Sequence, residues 1–135
     1  MNWKLILALS LFGLAMGFAT LTWNSPKLEQ FLWLLIFLLC AWLIGKNAER
    51  SYFLHGFLVS LLNCVWVTGL HMKYADTYIA HHTAEAGQYA KMNAELGLSI
   101  QQSMLLIGPF IGIFSGIILG LFSLAASKIL EAIRK

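Results

Sequence analysis

Four long apolar stretches dominate this chain of 135 residues. They cover about residues 5–23, 28–45, 52–72 and 103–126, and Glu29, at the mouth of the second, is the only Asp, Glu, Lys or Arg within them. A bilayer core of about 30 Å is crossed by roughly 20 such residues in a helix. Because lipid offers backbone groups no hydrogen-bond partner, each stretch is expected to be helical. The sequence therefore predicts an all-α fold, a four-helix transmembrane bundle.

The composition excludes a water-soluble globular protein. Apolar residues make up 59% of the chain and charged residues 11%, whereas soluble domains have about 45–50% and about 25%. The formal charge of +3 is read as topological information rather than as a nucleic-acid footprint. The expected partner is the lipid bilayer, with no nucleic acid.

The connections and the positive charges predict the topology. Short turns join the first three stretches, which favours an up-down-up-down arrangement in one integral membrane domain over residues 1–135. Six Lys and Arg residues fall on the side of the termini and three on the other, so both termini are predicted to be cytoplasmic. The first stretch could be a signal peptide, but about 19 apolar residues exceed the usual length. A bacterial inner (plasma) membrane is the expected location.

Small residues at four-residue spacing predict how the helices pack. Glycine costs a helix about 1 kcal/mol relative to alanine, so a run of glycines in register indicates close approach of a neighbouring helix. The fourth stretch carries such a ladder, and the third and first carry small residues that could face it. The predicted packing residues are Gly108, Gly112, Gly116, Gly120, Gly56, Ser60, Cys64, Gly13 and Gly17. Internal packing, a homo-oligomeric seam and a glycine-lined pore all remain open.

Polar groups inside the predicted spans are few. No carboxylate, Lys or Arg lies deep in a span, which argues against transport coupled to protons or sodium, since such transport needs a buried titratable group. His55 is expected one turn inside the membrane, with its tip among the headgroups. Asn63 lies near mid-membrane and is predicted to make a polar contact with another helix, or to touch a ligand.

The connection over residues 73–102 is predicted to be extracytoplasmic and partly helical. It is rich in Ala, Glu, Gln, Lys and Met, which favour helix. Gly87 and Gly97 are expected breaks. Tyrosines on one face, Tyr74, Tyr78 and Tyr89, predict an exposed stripe at the headgroup layer.

The same connection and the end of the third span contain the candidate metal or ligand residues. They are His71, Asp76, His81, His82 and Glu85. Zinc or copper needs three or four such groups converging on one point, and Glu85 shares a helical face with either neighbouring histidine. No cofactor is predicted from these residues, although Zn or Cu binding is possible. A pH-responsive histidine cluster and ordinary solvated side chains are the alternatives.

The favoured function is helix–helix interaction, as a homo-oligomer or as an accessory subunit of a larger membrane complex. Catalytic motifs for nucleophilic or phosphate chemistry are absent from the sequence, so an enzyme is not favoured. One alternative is an extracytoplasmic metal- or ligand-binding protein. Another is a small four-span enzyme acting on a lipophilic substrate. The chain is similar in size and span number to the four-span enzymes of glutathione and eicosanoid metabolism, but its second span lacks their arginines and no residue is carried over.

Overall fold

The computed structural model describes residues 1–134. These residues form six helices and no strand. The helices are α1 (Trp3–Ala19), α2 (Pro26–Asn47), α3 (Tyr52–Lys73), α4 (Ala75–His81), α5 (Thr83–Leu96) and α6 (Ile100–Ile133). The predicted all-α class is confirmed.

Three of the helices, α2, α3 and α6, are long and apolar enough to cross a membrane. The apolar helix α1 has 17 residues, which rise about 26 Å. It ends at Ala19, whereas the sequence predicted an apolar helix as far as Trp23. The chain turns at Thr20, whose hydroxyl donates to the carbonyl of Met16 (2.8 Å) and contacts His71 (2.9 Å).

Helix α3 lies between α1 and α6. Gly13 contacts Asn63 and Gly17 contacts Val67, so α1 runs parallel to α3. Along α6 the contacts run in the opposite order, from Gly108 beside Thr68 to Gly120 beside Phe53, so α6 is antiparallel to α3. The core buried between these helices and the end of α2 consists of Ile6, Leu9, Cys40, Ala41, Ile44, Ala48, Val59 and Leu119.

Helix α2 packs at one end only. Its buried residues, Cys40, Ala41, Ile44 and Gly45, all lie near its end, and a Cβ built on Gly45 would lie 3.1 Å from the backbone nitrogen of Ser127 on α6. Over residues 26–39, which the structure describes throughout, no residue is buried. Bulky side chains fill that part of α2, so it lacks the small residues that permit close helix contact.

The connection between α3 and α6 contains two short helices, which agrees with the predicted partly helical segment. In α4, Ala75 and Tyr78 are buried and cluster with Leu21 and Met104, whereas α5 has no buried residue in the described chain. Tyr78 is only 9% exposed, so the prediction of an exposed tyrosine stripe is wrong for this residue. It is buried because α4 folds back onto the ends of α1 and α6.

Glycine ends α5 but does not interrupt it. Gly97 adopts φ 68°, a left-handed conformation that glycine accepts without strain. Gly87, which was also expected to be a break, lies within α5.

Helix α6 is longer than predicted. It has 34 residues, which rise about 51 Å. It begins at Ile100 because Ser99 and Gln102 form a reciprocal capping box. Pro109 consequently lies inside the helix.

His55, predicted to reach the headgroups, is instead 1% exposed. Its Nε2 accepts a hydrogen bond from the backbone N–H of Asn2 (2.9 Å), and its Nδ1–H donates to the carbonyl of Ser51 (2.9 Å). Both ring nitrogens are therefore satisfied by the protein, which makes burial of the ring favourable. This contact fixes the beginning of α1 against the beginning of α3.

Candidate functional site

The glycine ladder of α6 lies against α3 of the same chain. A Cβ built on Gly116 would be 2.9 Å from Cδ2 of Phe57, and one built on Gly112 would be 3.0 Å from Cβ of Cys64. Each glycine and its nearest residue are Gly108 with Thr68, Gly112 with Cys64, Gly116 with Phe57, and Gly120 with Phe53. The glycine ladder of α6 therefore packs against α3 of the same molecule.

The small residues of α3 face the same helix. A Cβ built on Gly56 would be 2.6 Å from the carbonyl oxygen of Leu119. The Ser60 hydroxyl donates to that of Ser115 (2.8 Å) because Ser115 itself donates to the carbonyl of Ile111 (2.6 Å). These contacts hold α3 and α6 at a separation that side chains larger than these would prevent.

Asn63 is a buried polar residue where α1 meets α3. It is 2% exposed, and its Oδ1 accepts a hydrogen bond from the backbone N–H of Gly13 (2.9 Å). Gly13 permits this contact, because a Cβ there would collide with Cα of Asn63. Gly17 packs one turn further along α1, where a Cβ would be 2.8 Å from Leu70. Nδ2 of Asn63 is buried and has no hydrogen-bond partner among residues 1–134.

A cavity of about 370 Å³ lies between α2, α3 and α6. Helices α4 and α5 contribute one lining residue each, Tyr78 and Tyr89. We call it the Asn63 cavity. Its polar lining consists of Glu29, Ser60, Asn63, Cys64, Thr68, His71, Tyr78, Tyr89 and Ser115. Its apolar lining consists of Trp33, Phe37, Val67, Met104, Ile107 and Ile111, together with Gly108. The cavity lies beside the part of α2 that has no buried residue, because α2 approaches α6 only at its other end.

A stack of three rings lies at the end of the cavity nearest α4. Tyr78 stacks on His71 and on His82, with ring centroids 4.1 Å apart in each pair. The Thr20 hydroxyl donates to a backbone carbonyl, so it accepts from Nε2–H of His71, which leaves Nδ1 of His71 as a hydrogen-bond acceptor. The sequence grouped these two histidines as possible metal ligands, but the structure separates their rings with Tyr78.

The other candidate metal ligands do not join the stack. His81 is exposed, and its Nδ1–H donates to the carbonyl of Thr77 (2.9 Å). Asp76 is exposed and Glu85 half-buried. Within residues 1–134, no group of three or more His, Cys, Asp or Glu side chains is placed to hold a metal ion.

Burial alters the ionisation of the two tyrosines that line the cavity. Burial, followed by the nearby Tyr89 and the carboxylates of Glu85 and Glu29, raises the pKa of the Tyr78 hydroxyl. Burial and Glu85 likewise raise the pKa of the Tyr89 hydroxyl. Both hydroxyls therefore stay protonated at neutral pH and are available as hydrogen-bond donors.

Sequence reasoning identified Asn63 and His71 but missed most of the cavity. Glu29 was taken only as a boundary charge, and Ser115 was not singled out. The helical spacing of Tyr78, His82 and Tyr89, which lie four and then seven residues apart, was a usable signal, but it was read as an exposed face. A single sequence does not show which faces of α2, α5 and α6 converge.

In comparisons with protein-family models, curated proteins and solved structures, nothing matches this chain.

Proposed function

We propose that this chain is a small integral membrane protein that binds a lipophilic molecule in the Asn63 cavity. The mixed lining of the cavity carries this proposal. Its volume of about 370 Å³ falls in the range of small-molecule sites, about 300–1,000 Å³. Such sites combine apolar walls with a few polar groups that orient the ligand. Packing voids that stay empty are apolar throughout, whereas this cavity presents hydroxyl, amide, imidazole and carboxylate groups.

The position of the cavity favours a ligand that comes from the bilayer. Ile111 lines the cavity and is 59% exposed, so the cavity reaches the outer surface of the helices at this residue. The adjacent residues 26–39 of α2 contain no buried residue. A molecule dissolved in lipid could therefore enter sideways without crossing water.

The membrane arrangement is part of the proposal. We propose four spans in an up-down-up-down bundle, with both termini in the cytoplasm of a bacterium and the protein in its inner membrane. The excess of Lys and Arg on the side of the termini supports this orientation. The parallel α1 and α3 and the antiparallel α6 are consistent with it. Residues 73–102, which include Tyr78 and His82 of the ring stack, would then lie outside the cytoplasm.

Native mass spectrometry of the protein purified in mild detergent tests the binding function. We expect a lipophilic molecule to be retained by the wild type and by Ile113→Trp, because Ile113 is 48% exposed and does not line the cavity. Ile107→Trp places the same bulky ring on the same helix but inside the cavity, so it should lose the molecule. Absence of any bound molecule from the wild type, or equal retention by both variants, would contradict the proposal.

Helix–helix interaction stays a second candidate, on a surface other than the glycine ladder. An apolar groove between α3 and α6, which we call the Gly69 groove, is lined by Leu61, Cys64, Val65, Thr68, Gly69, Met72, Leu105, Gly108, Pro109 and Gly112. A Cβ built on Gly69 would meet no atom within 4 Å among the described residues, unlike one built on any ladder glycine. The groove is therefore open to a helix of a second copy of this chain.

Size measurement in lipid nanodiscs tests this second candidate. A homo-oligomer would be present in the wild type and lost in Gly69→Trp, while Gly87→Trp on α5, also in open space, would leave it intact. If the wild type is a monomer in nanodiscs, the self-assembly hypothesis is wrong. The metal-binding alternative stays a prediction, which elemental analysis of the purified protein would test.

A further inference from the structure

We infer that the molecule bound in the Asn63 cavity has no anionic group and carries a carbonyl oxygen that accepts a hydrogen bond from Nδ2 of Asn63. This inference rests on the binding function proposed above. It specifies the class of ligand: a lipid-soluble carbonyl compound, such as a quinone or an acyl ester.

The orientation of the Asn63 amide is set by α1. The backbone N–H of Gly13 donates to Oδ1 over 2.9 Å. Rotating the amide by half a turn would place an amide N–H against this backbone N–H, two donors facing each other. Nδ2 is therefore the group that remains, and it is a donor with no partner among residues 1–134. An unpaired amide in a buried setting is strongly disfavoured, so a hydrogen-bond acceptor is needed beside it.

Other polar groups deep in the cavity already have partners. The Ser60 hydroxyl is bonded to Ser115 (2.8 Å), and the Cys64 thiol donates to the carbonyl of Gly108 (2.8 Å). Asn63 differs from these two neighbours because its Nδ2, among the fully buried side-chain nitrogen and oxygen atoms of residues 1–134, lacks a hydrogen-bond partner.

The charges around the cavity exclude an anionic ligand group. Glu29 contributes a carboxylate, and among the described lining residues there is no Lys or Arg. A carboxylate or phosphate would have no cationic partner in this apolar setting, where an unpaired charge is very costly. A neutral acceptor avoids that cost, and a carbonyl is the acceptor that lipid-soluble molecules most often carry.

The depth of Asn63 indicates how the ligand would lie. His71, at the ring stack, is eight residues further along α3 than Asn63, which corresponds to about 12 Å. Trp33 and Ile107 form apolar walls of the same cavity. The carbonyl would therefore lie about 12 Å from the ring stack, and the apolar part of the ligand would lie against these walls.

Equilibrium binding in nanodiscs, read by tryptophan fluorescence, tests the inference. The probes are decylubiquinone, which supplies a quinone carbonyl, 1,2-dioctanoylglycerol, which supplies ester carbonyls, and dodecane, which has none. Asn63→Ala removes the unpaired donor. Ser123→Ala is the matched control, because it removes a buried hydroxyl that is already paired with the carbonyl of Leu119 and that does not line the cavity. We expect at least one carbonyl probe to bind Asn63→Ala about tenfold more weakly than wild type, with Ser123→Ala close to wild type. Binding of dodecane, if measurable, should be equal in all three proteins.

The outcomes distinguish a failure of the inferred carbonyl contact from a failure of the proposed ligand binding. If a carbonyl probe binds, is excluded by Ile107→Trp, and binds Asn63→Ala as tightly as wild type, the carbonyl contact is wrong and the binding function stands. If no probe binds and no molecule is retained by the purified protein, both fail. If one carbonyl probe binds and the other does not, the result identifies the source of the carbonyl. An intact helical circular dichroism spectrum of Asn63→Ala excludes unfolding as the cause of lost binding.

Discussion

The backbone N–H of Gly13 and the Oδ1 of Asn63 are joined by a hydrogen bond of 2.9 Å where α1 crosses α3. This bond ties a packing residue to a cavity residue, since Gly13 lets the helices touch and Asn63 lines the cavity. The close approach of α1 thereby decides which end of the Asn63 amide is left unpaired. Helix packing and the properties of the proposed binding site therefore depend on the same contact.

Gly13→Ala is expected to destabilise the protein by about 1–3 kcal/mol, the usual cost of overpacking. The new methyl group would lie 2.6 Å from Oδ1 and 2.7 Å from Cβ of Asn63. Gly69→Ala, in the same kind of helical setting but with nothing within 4 Å among the described residues, should be neutral or gain up to about 1 kcal/mol from helix propensity. Thermal unfolding in one detergent compares the two. Equal stability of the variants would show that α1 and α3 do not pack as closely as described.

The helices were predictable because lipid restricts the choice of structure. An apolar run of about 20 residues must be helical in a bilayer, and α2, α3 and α6 contain the predicted runs 28–45, 52–72 and 103–126. Glycines at four-residue spacing identified a face of α6, since four-residue spacing places side chains on one side of a helix. The small residues of the third stretch pointed to α3 as its partner, but the sequence left open whether that helix would belong to the same chain or to a second copy.

The cavity was harder to predict because it lies where α2 does not pack closely against the other helices. Its existence follows from the divergence of α2, which is set by small residues near Cys40 and Gly45 and by bulky residues before them. The burial of Tyr78 depends on the return of α4 to the ends of α1 and α6. The sequence placed the tip of His55 among the headgroups because its partner, Asn2, is 53 residues away. Each of these features depends on contacts between distant segments, which periodicity does not report.

Ser51→Gly is expected to stabilise the protein by about 1 kcal/mol. Ser51 adopts φ 56°, the left-handed region, which costs a residue with a Cβ about 1–2 kcal/mol. Gly97 has a similar conformation, with φ 68°, so Gly97→Ala should introduce the corresponding penalty. The free energy of unfolding, measured by denaturant titration in mixed micelles, provides the comparison. A loss of stability in Ser51→Gly would contradict the assigned backbone conformation.

His55→Leu is expected to loosen the beginning of α1 without unfolding the protein. The substitution removes the acceptor for the Asn2 N–H and the donor to the Ser51 carbonyl, at a cost of about 0.5–1.5 kcal/mol for each typical hydrogen bond. Hydrogen exchange should accelerate at the Leu5 and Ile6 amides, which bond to Asn2. Amides near Gly112 in α6 serve as the internal control and should be unchanged. Equal protection of the α1 amides in the wild type and in His55→Leu would show that the His55 hydrogen bonds do not hold the beginning of α1 in place.

Alkaline pH should destabilise the protein through Tyr78. Burial raises the pKa of its hydroxyl in the folded state, so the unfolded chain loses this proton first as pH rises. Stability is fully present below the ordinary tyrosine value of 10.0 and declines as pH rises from there towards the folded value. Tyr78→Phe should show a shallower decline of Tm between about pH 9 and 12. Tyr74→Phe is the control, because Tyr74 is 39% exposed; identical pH profiles for the two variants would contradict the burial of Tyr78.

Alkylation of the two native cysteines by N-dodecylmaleimide in nanodiscs tests most directly whether a lipophilic molecule occupies the Asn63 cavity. The reagent is uncharged, carries carbonyl groups and has an apolar tail. Cys64 lines the cavity, whereas Cys40 is 0% exposed in the core between helices. The expected result is faster labelling of Cys64 than of Cys40, slowed by Ile107→Trp and unaffected by Ile113→Trp. Since Cys64 also lines the Gly69 groove, unchanged labelling of Cys64 in Ile107→Trp, or equal labelling of the two cysteines, would contradict entry into this cavity.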